Sequence, residues 1–227
     1  MTVTGLESRA KKPVETARPA SVPAAAGPAR GRRKSAPERR REIVQAALRL
    51  AVEIGPDRVS TQQLADAVGV SQPAIFRHFP NRAAIWLAVG NHLTGAMRAE
   101  RDAVARVPPD RRLRESISRQ LGFIARTPAI PAILFSRELH ATNEPLRRHM
   151  MAMMAERRAG FSAMIAREQA QGRLQRALAA DDAAALILAT IQGLAMRWSL
   201  ERQGFDFRAE GERLIFGLLD SWKGARG

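Results

Sequence analysis

Four histidines, His78, His92, His140 and His149, are the side chains best suited to acid–base or metal chemistry. Their spacing does not assemble it. No His-Glu-x-x-His pair occurs, and Glu138 and His140, two apart on a helix, face different ways. A metal sensor drawn from Glu138, His140, Glu144 and His149 has suitable donors but no metal-motif spacing, so no metal and no cofactor is expected. The chain has no cysteine, which excludes disulfides, thiolate nucleophiles, cysteine-ligated zinc and iron–sulfur clusters. Neither a Gly-rich phosphate loop nor a nucleophile elbow is present, and an enzyme is not expected. The abundant chemical group is the guanidinium. Thirty-three of the 37 basic residues are arginine, against 22 acids, for a net charge of +15. That bias reflects either a GC-rich codon usage or phosphate contact, for which the forked guanidinium is the apt donor.

The elements that would place such groups are helical throughout. From Ser35 onward the apolar spacing is helical, with no alternating strand pattern and no repeat, so the fold class is all-α. Ser35 and Glu38 form a capping box opening a first helix whose inner face is Ile43, Ala47, Leu50 and Ile54; Gly55-Pro56 ends it. Residues 60–82, STQQLADAVGVSQPAIFRHFPNR, hold the informative pattern. Ser60 and Gln63 cap a short helix with Leu64, Ala65 and Val68 inward. Gly69 supplies the positive φ of a tight turn, Ser71 caps the next helix, Pro73 is tolerated in its first turn, and Ile75 and Phe79 return to the core. A small Ala65 permits a close crossing, Gly69 makes the turn and Ile75 seals the angle. That is a helix-turn-helix, whose second helix, here 72–79, lies in a major groove.

The run from Arg41 to about Leu93 resembles the DNA-binding domain of the TetR/AcrR family, on Leu64-Ala65, Val68-Gly69-Val70-Ser71 and Ile75-Phe76-Arg77-His78-Phe79-Pro80-Asn81-Arg82. The resemblance implies that Gln72 reads a base edge, with adenine as the natural bidentate partner. Pro73 and Ala74 then offer apolar contact to a thymine methyl, and Gln62 touches a second base edge. Thr61, Arg77, His78 and Arg82 match positions that hold phosphates. Phe76 stands where the family often has tyrosine, so a phenol-to-phosphate hydrogen bond is lost and Phe76 is expected to give packing. The implied partner is double-stranded DNA, bound by a homodimer on a pseudo-palindromic operator. The implied function is transcriptional regulation, as a repressor released by a small-molecule effector. A second member function, nucleoid occlusion with a cytoskeletal partner, is favoured by Gly122-Phe123-Ile124-Ala125-Arg126-Thr127-Pro128, which is similar to that factor.

Three segments follow: a basic, proline-rich tail over 1–36, disordered by composition; a helix-turn-helix domain over 37–92; and a helical body over 93–227 for ligand binding and dimerisation. The tail ends in Gly31-Arg32-Arg33-Lys34, either a solvated leader or an arm for a minor groove. Body helices are expected over 82–106, 110–126, 131–141, 145–172, 181–203 and 207–223. Ala185, Ala189 and Gly193 recur every four residues, a close-approach stripe that either joins two subunits or packs within one. Phe123, Leu134, Phe135, Met154, Phe161, Met164 and Ile191 are the candidate lining of an effector pocket, with plain core filling as the other reading. No apolar run approaches the ~20 residues that cross a bilayer, and no secretory h-region is visible. A cytoplasmic, nucleoid-associated protein with no membrane partner is expected.

Overall fold

The computed structural model describes residues 34–223, and among these every regular element is helical. The tail expected over 1–36 lies outside the described residues except for its last three positions. Helix α1, Ala36–Glu53, opens on the expected capping box: the Glu38 N–H donates to Ser35 Oγ at 3.4 Å, and the Ser35 N–H donates to the Glu38 carboxylate at 2.7 Å. The second contact leads the causes that hold the Glu38 carboxyl below the usual carboxylate range. Gly55, at φ +84°, turns the chain into a single 3-10 turn, Pro56–Arg58. Short helices α2, Thr61–Val68, and α3, Gln72–Phe76, follow.

Helix α4, Arg82–Val104, starts beside these two helices and runs 23 residues into the body. A core of Ile43, Ala47, Leu64, Ala65, Ile75, Phe79, Ile85 and Trp86 joins α1 to α4. Beyond a turn at Pro109–Arg111 come α5, Arg112–Ala125; α6, Ala129–Leu134; α7, Arg137–Thr142; α8, Glu144–Ala170; α9, Ala180–Leu200; and α10, Phe207–Ser221. Helix α8 lies along both α4 and α9, while α5 lies against α4 and α10.

Two differences from the expected elements have clear causes. The helix expected over 131–141 is two helices, because Ser136 leaves the helical path to cap α7. Its Oγ accepts the Leu139 N–H at 3.0 Å and donates to Asp57 Oδ1 at 2.5 Å, across to the turn after α1. The second concerns bilayer-length segments. Helix α9 is apolar and long enough to cross a membrane by length and composition, with a mean hydropathy of 1.4 over its apolar window. Its uncharged stretch is shorter than the helix, because Asp181 and Asp182 stand in the first turn and Arg197 in the last. Its inner face, including Ile187, Ile191 and Trp198, is buried within this fold.

The crossing of α4 and α8 depends on Gly90. A Cβ there would stand 2.9 Å from both Leu146 Cδ1 and Met150 Cε and 3.2 Å from His149 Cδ2. Beside it, Thr94 Oγ1 and His149 Nε2 are hydrogen-bonded at 2.8 Å. Gly90→Val is therefore expected to cost about 1–3 kcal/mol by overpacking. Urea unfolding should show a lower midpoint at unchanged slope; an unshifted midpoint would contradict so close a crossing.

Candidate nucleic-acid interface

The turn between α2 and α3 is built locally. Ser60 caps α2, its Oγ accepting the Gln63 N–H at 3.1 Å while the Gln63 side chain accepts the Ser60 N–H at 2.8 Å. Gly69 sits at φ 68°, ψ 43°, in the left-handed region where a Cβ is penalised. Val70 N–H then donates to the Ala65 carbonyl at 3.0 Å, closing the end of α2. Ser71 takes the extended backbone of a cap residue, but its hydroxyl makes no capping hydrogen bond. Helix α3 is also shorter than the expected 72–79, ending at Phe76. The reason is Pro80, which disfavours helical φ/ψ at Phe79. Phe79 instead continues in a turn, its N–H on the Ile75 carbonyl at 3.0 Å, and drops its ring into the core.

What the local sequence does not supply, three arginines do. Arg39 on α1 donates to the Val68 carbonyl at 3.1 Å. Arg40, one residue on, donates to the His78 carbonyl and lays its guanidinium 4.1 Å from the centroid of the Phe79 ring. Arg82, at the start of α4, donates to the carbonyls of Val59, Pro56 and Asp57 at 2.9, 2.7 and 2.9 Å. Arg82 was expected on phosphate; here its guanidinium is turned inward onto three carbonyls, as a positioning residue. Arg39 and Arg40 were missed altogether. Their partners lie some 30 and 40 positions away, and no sequence spacing reports such a contact.

The outer face carries the remaining site residues. Gln72 Nε2 donates to Thr61 Oγ1 at 2.7 Å, which brings two of the expected residues together and fixes the amide. The Gln72 carbonyl oxygen and one N–H stay available in that geometry. Gln62 is exposed and donates to Asp66 at 2.8 Å. Pro73 and Arg77 are exposed, Ala74 and His78 partly so, and Phe76 is 45% exposed on a five-residue helix. Arg77 makes no ion pair among the described residues. The face is polar, cationic and, at Phe76, apolar.

A sequence model of the family described as bacterial regulatory proteins, tetR family, matches residues 43–89. The chain carries a TetR-family DNA-binding domain. It aligns over 196 residues, at 28% identity, with the HTH-type transcriptional regulator TtgR of Pseudomonas putida, covering 83% of this chain and 93% of that one. A shorter alignment, 120 residues at 33% identity, is with the nucleoid occlusion factor SlmA of Vibrio vulnificus; it covers 52% of this chain and 60% of that factor. The fold superposes on a TetR transcription regulator from Haloarcula marismortui with a TM-score of 0.72 at 18% identity, covering 83% of this chain and 100% of that one. The comparisons support, at the level of the family, a TetR-type DNA-binding regulator.

The residues expected to line an effector pocket do not gather around one space. Phe161 and Ile191 are core residues, 0% and 2% exposed. Leu134, Phe135 and Met164 lie against that core. Phe123 borders a cavity of about 10 Å³ beside Gln120, whereas Met154 opens onto an outer groove between α8 and α9. An inward helical face is legible as periodicity, but whether space remains between faces is set by side-chain fit. Of the four residues weighed for a metal, His149 bonds Thr94 and Glu144 bonds Arg147 at 2.7 Å. No group of three or more potential metal ligands gathers among the described residues.

These placements separate two kinds of arginine. Arg77→Ala should leave thermal stability unchanged while lowering DNA affinity across all sequences and reducing the salt slope by about one. Arg82→Ala should cost about 1.5–3 kcal/mol of stability, as expected for lost charge-assisted hydrogen bonds. The reverse pattern in paired melting and salt titrations would contradict the assignment. Gln72→Ala should cost about 1–3 kcal/mol of specific binding at one base position and leave non-specific binding intact.

Proposed function

We propose that the chain acts as a homodimeric, effector-responsive repressor, setting α3 of each subunit into successive major grooves of a pseudo-palindromic operator. In this reading residues 37–92 bind DNA through Thr61, Gln62, Gln72, Pro73, Ala74, Phe76, Arg77 and His78, and residues 93–227 dimerise and sense. The observation that carries the dimer is the outer face of α9. Although apolar enough to span a membrane, its apolar window is only 44% buried. Leu186, Met196 and Leu200 are 47%, 38% and 76% exposed on one face. Ala189 and Gly193 lie between them, exposed, and a Cβ at Gly193 meets nothing within 4 Å. An open groove of about 540 Å³, lined by Met154, Ala185 and Ala189 among others, runs beside this face. Small residues flanked by large apolar ones let two copies of one helix approach closely about a two-fold axis. The long alignment with TtgR supports the regulatory reading.

A second reading is a DNA-bound division regulator, favoured by the 33% identity with SlmA. Many chromosomal sites and binding to a filament-forming partner would favour it; a single site beside the protein's own gene favours the repressor.

The test is the oligomeric state and its consequence for DNA. Sedimentation should give a dimer for the wild type and a monomer for the double variant Gly193→Glu with Leu200→Glu, folded by circular dichroism. The monomer should bind an inverted repeat no better than a half-site. A variant that remains dimeric, or a wild type that is monomeric on DNA, would overturn this arrangement.

A further inference from the structure

Arg157 lies on the inner side of α8, 8% exposed, and every partner it has is neutral. Its Nε donates to Gln120 Oε1, and its Nη2 donates to the Ser116 carbonyl at 3.0 Å and hydroxyl at 2.9 Å. Its guanidinium carbon stands 4.1 Å from the centroid of the Phe161 ring. Nη1 donates to nothing among the described residues. A cation this buried normally has a carboxylate beside it. The neighbouring carboxylates are committed elsewhere: Glu156 to Arg98 at 3.2 Å and to Arg101, Glu100 to Arg119 at 3.2 Å and to Arg126 at 2.8 Å. Burial, then repulsion from Arg101, pulls the Arg157 pKa down to about 10, so it stays charged at neutral pH and unneutralised.

Two cavities, of about 20 and 10 Å³, flank this guanidinium between α4, α5 and α8 and share Met97 and Arg101 as walls. Their combined lining includes four arginines, 98, 101, 119 and 157, and two glutamates, 100 and 156. Arg98, Arg101 and Arg119 each have a carboxylate partner, Arg119 also pairing with Glu115 at 2.6 Å, whereas Arg157 has none among the described residues, and its charge is the one that calls for an anion. The rest of the wall, Met97, Met153 and Phe123, calls for an apolar body. Each cavity has room for about one water, and methionines reorganise at low cost.

We propose that Arg157 is the recognition residue of the effector site, and that the effector is a slender organic carboxylate. Its carboxylate pairs with Arg157, and its apolar body displaces Met97 and Met153. This rests on the effector-responsive reading above and gives that effector a chemical class. An alcohol of the same shape leaves the buried charge unneutralised, and an amine adds to the positive charge.

Thermal unfolding of the full chain with 4-bromobenzoate, against 4-bromobenzyl alcohol and 4-bromobenzylamine, tests it. The benzoate is expected to raise the midpoint, with the alcohol needing about tenfold more or greater for the same shift, the worth of a charge-assisted hydrogen bond. Equal shifts from all three, or none, overturn the proposal. Arg157→Met, similar in length and uncharged, is expected to fold and to lose the benzoate shift; a shift that survives overturns it. Independently of any variant, wild-type crystals soaked in 4-bromobenzoate should place the anomalous bromine signal beside Arg157, and a bromine seated only elsewhere is contrary. DNA release, read by fluorescence anisotropy on a bound duplex, separates the two claims. Benzoate that raises the midpoint without releasing DNA upholds the anion site and counts against the effector-responsive reading.

Discussion

A helix of five residues cannot hold its own shape in water, and the surface proposed to face DNA is built on such a helix. Most of the carbonyls at the end of a helix have no partner within it. At the ends of α2 and α3 guanidiniums from the longer α1, Arg39 and Arg40, bond the carbonyls of Val68 and His78, and Arg82 on α4 holds the turn that precedes α2. The outer face is left for Thr61, Gln62, Gln72, Pro73, Phe76 and Arg77. The division is physically sensible. Cations turned inward fix geometry, while the exposed cation at Arg77 is free for the phosphate contact proposed for it.

The same clamp ties the reading surface to the body. Arg82 is the first residue of α4, and α4 continues past Gly90, where α8 crosses within contact distance, to Arg98 and Arg101 beside Arg157. Further ties run in parallel: Ser136 to Asp57 at 2.5 Å and Asn143 to the Ala83 carbonyl at 3.0 Å. In the proposed effector response, these contacts are the route by which a displacement of α4 against α8 would reach the turn that Arg82 holds. Helices packed at van der Waals contact shift as units rather than deform smoothly. A buried charge without a counter-ion is a natural bias on such a pair, since neutralising it changes which arrangement is favoured.

How much of this the sequence discloses follows the range of the interactions. Both capping boxes, Ser35 with Glu38 and Ser60 with Gln63, are three-residue relations and are fully legible, as is the left-handed Gly69. The inward faces of α1 and α2 follow from periodicity. The end of α3 was legible in principle through Pro80 but is obscured by the continuing apolar spacing to Phe79. The break at Ser136 depends on Asp57, and the inward turn of Arg82 depends on the carbonyls of residues 56, 57 and 59. Neither leaves a local trace. Arg157 is the plainest case: in sequence it is one of a pair with Arg158, and only the fold buries the first and exposes the second.

The central claim is that the surface around Gln72 reads DNA in two symmetric copies. Its most direct test is a genome-wide selection of fragments bound by the purified full chain at a stated salt concentration. One or a few inverted repeats, with half-sites about one helical turn apart, is the predicted result. Recovery of fragments without a shared sequence, or of single unrepeated half-sites, would contradict it.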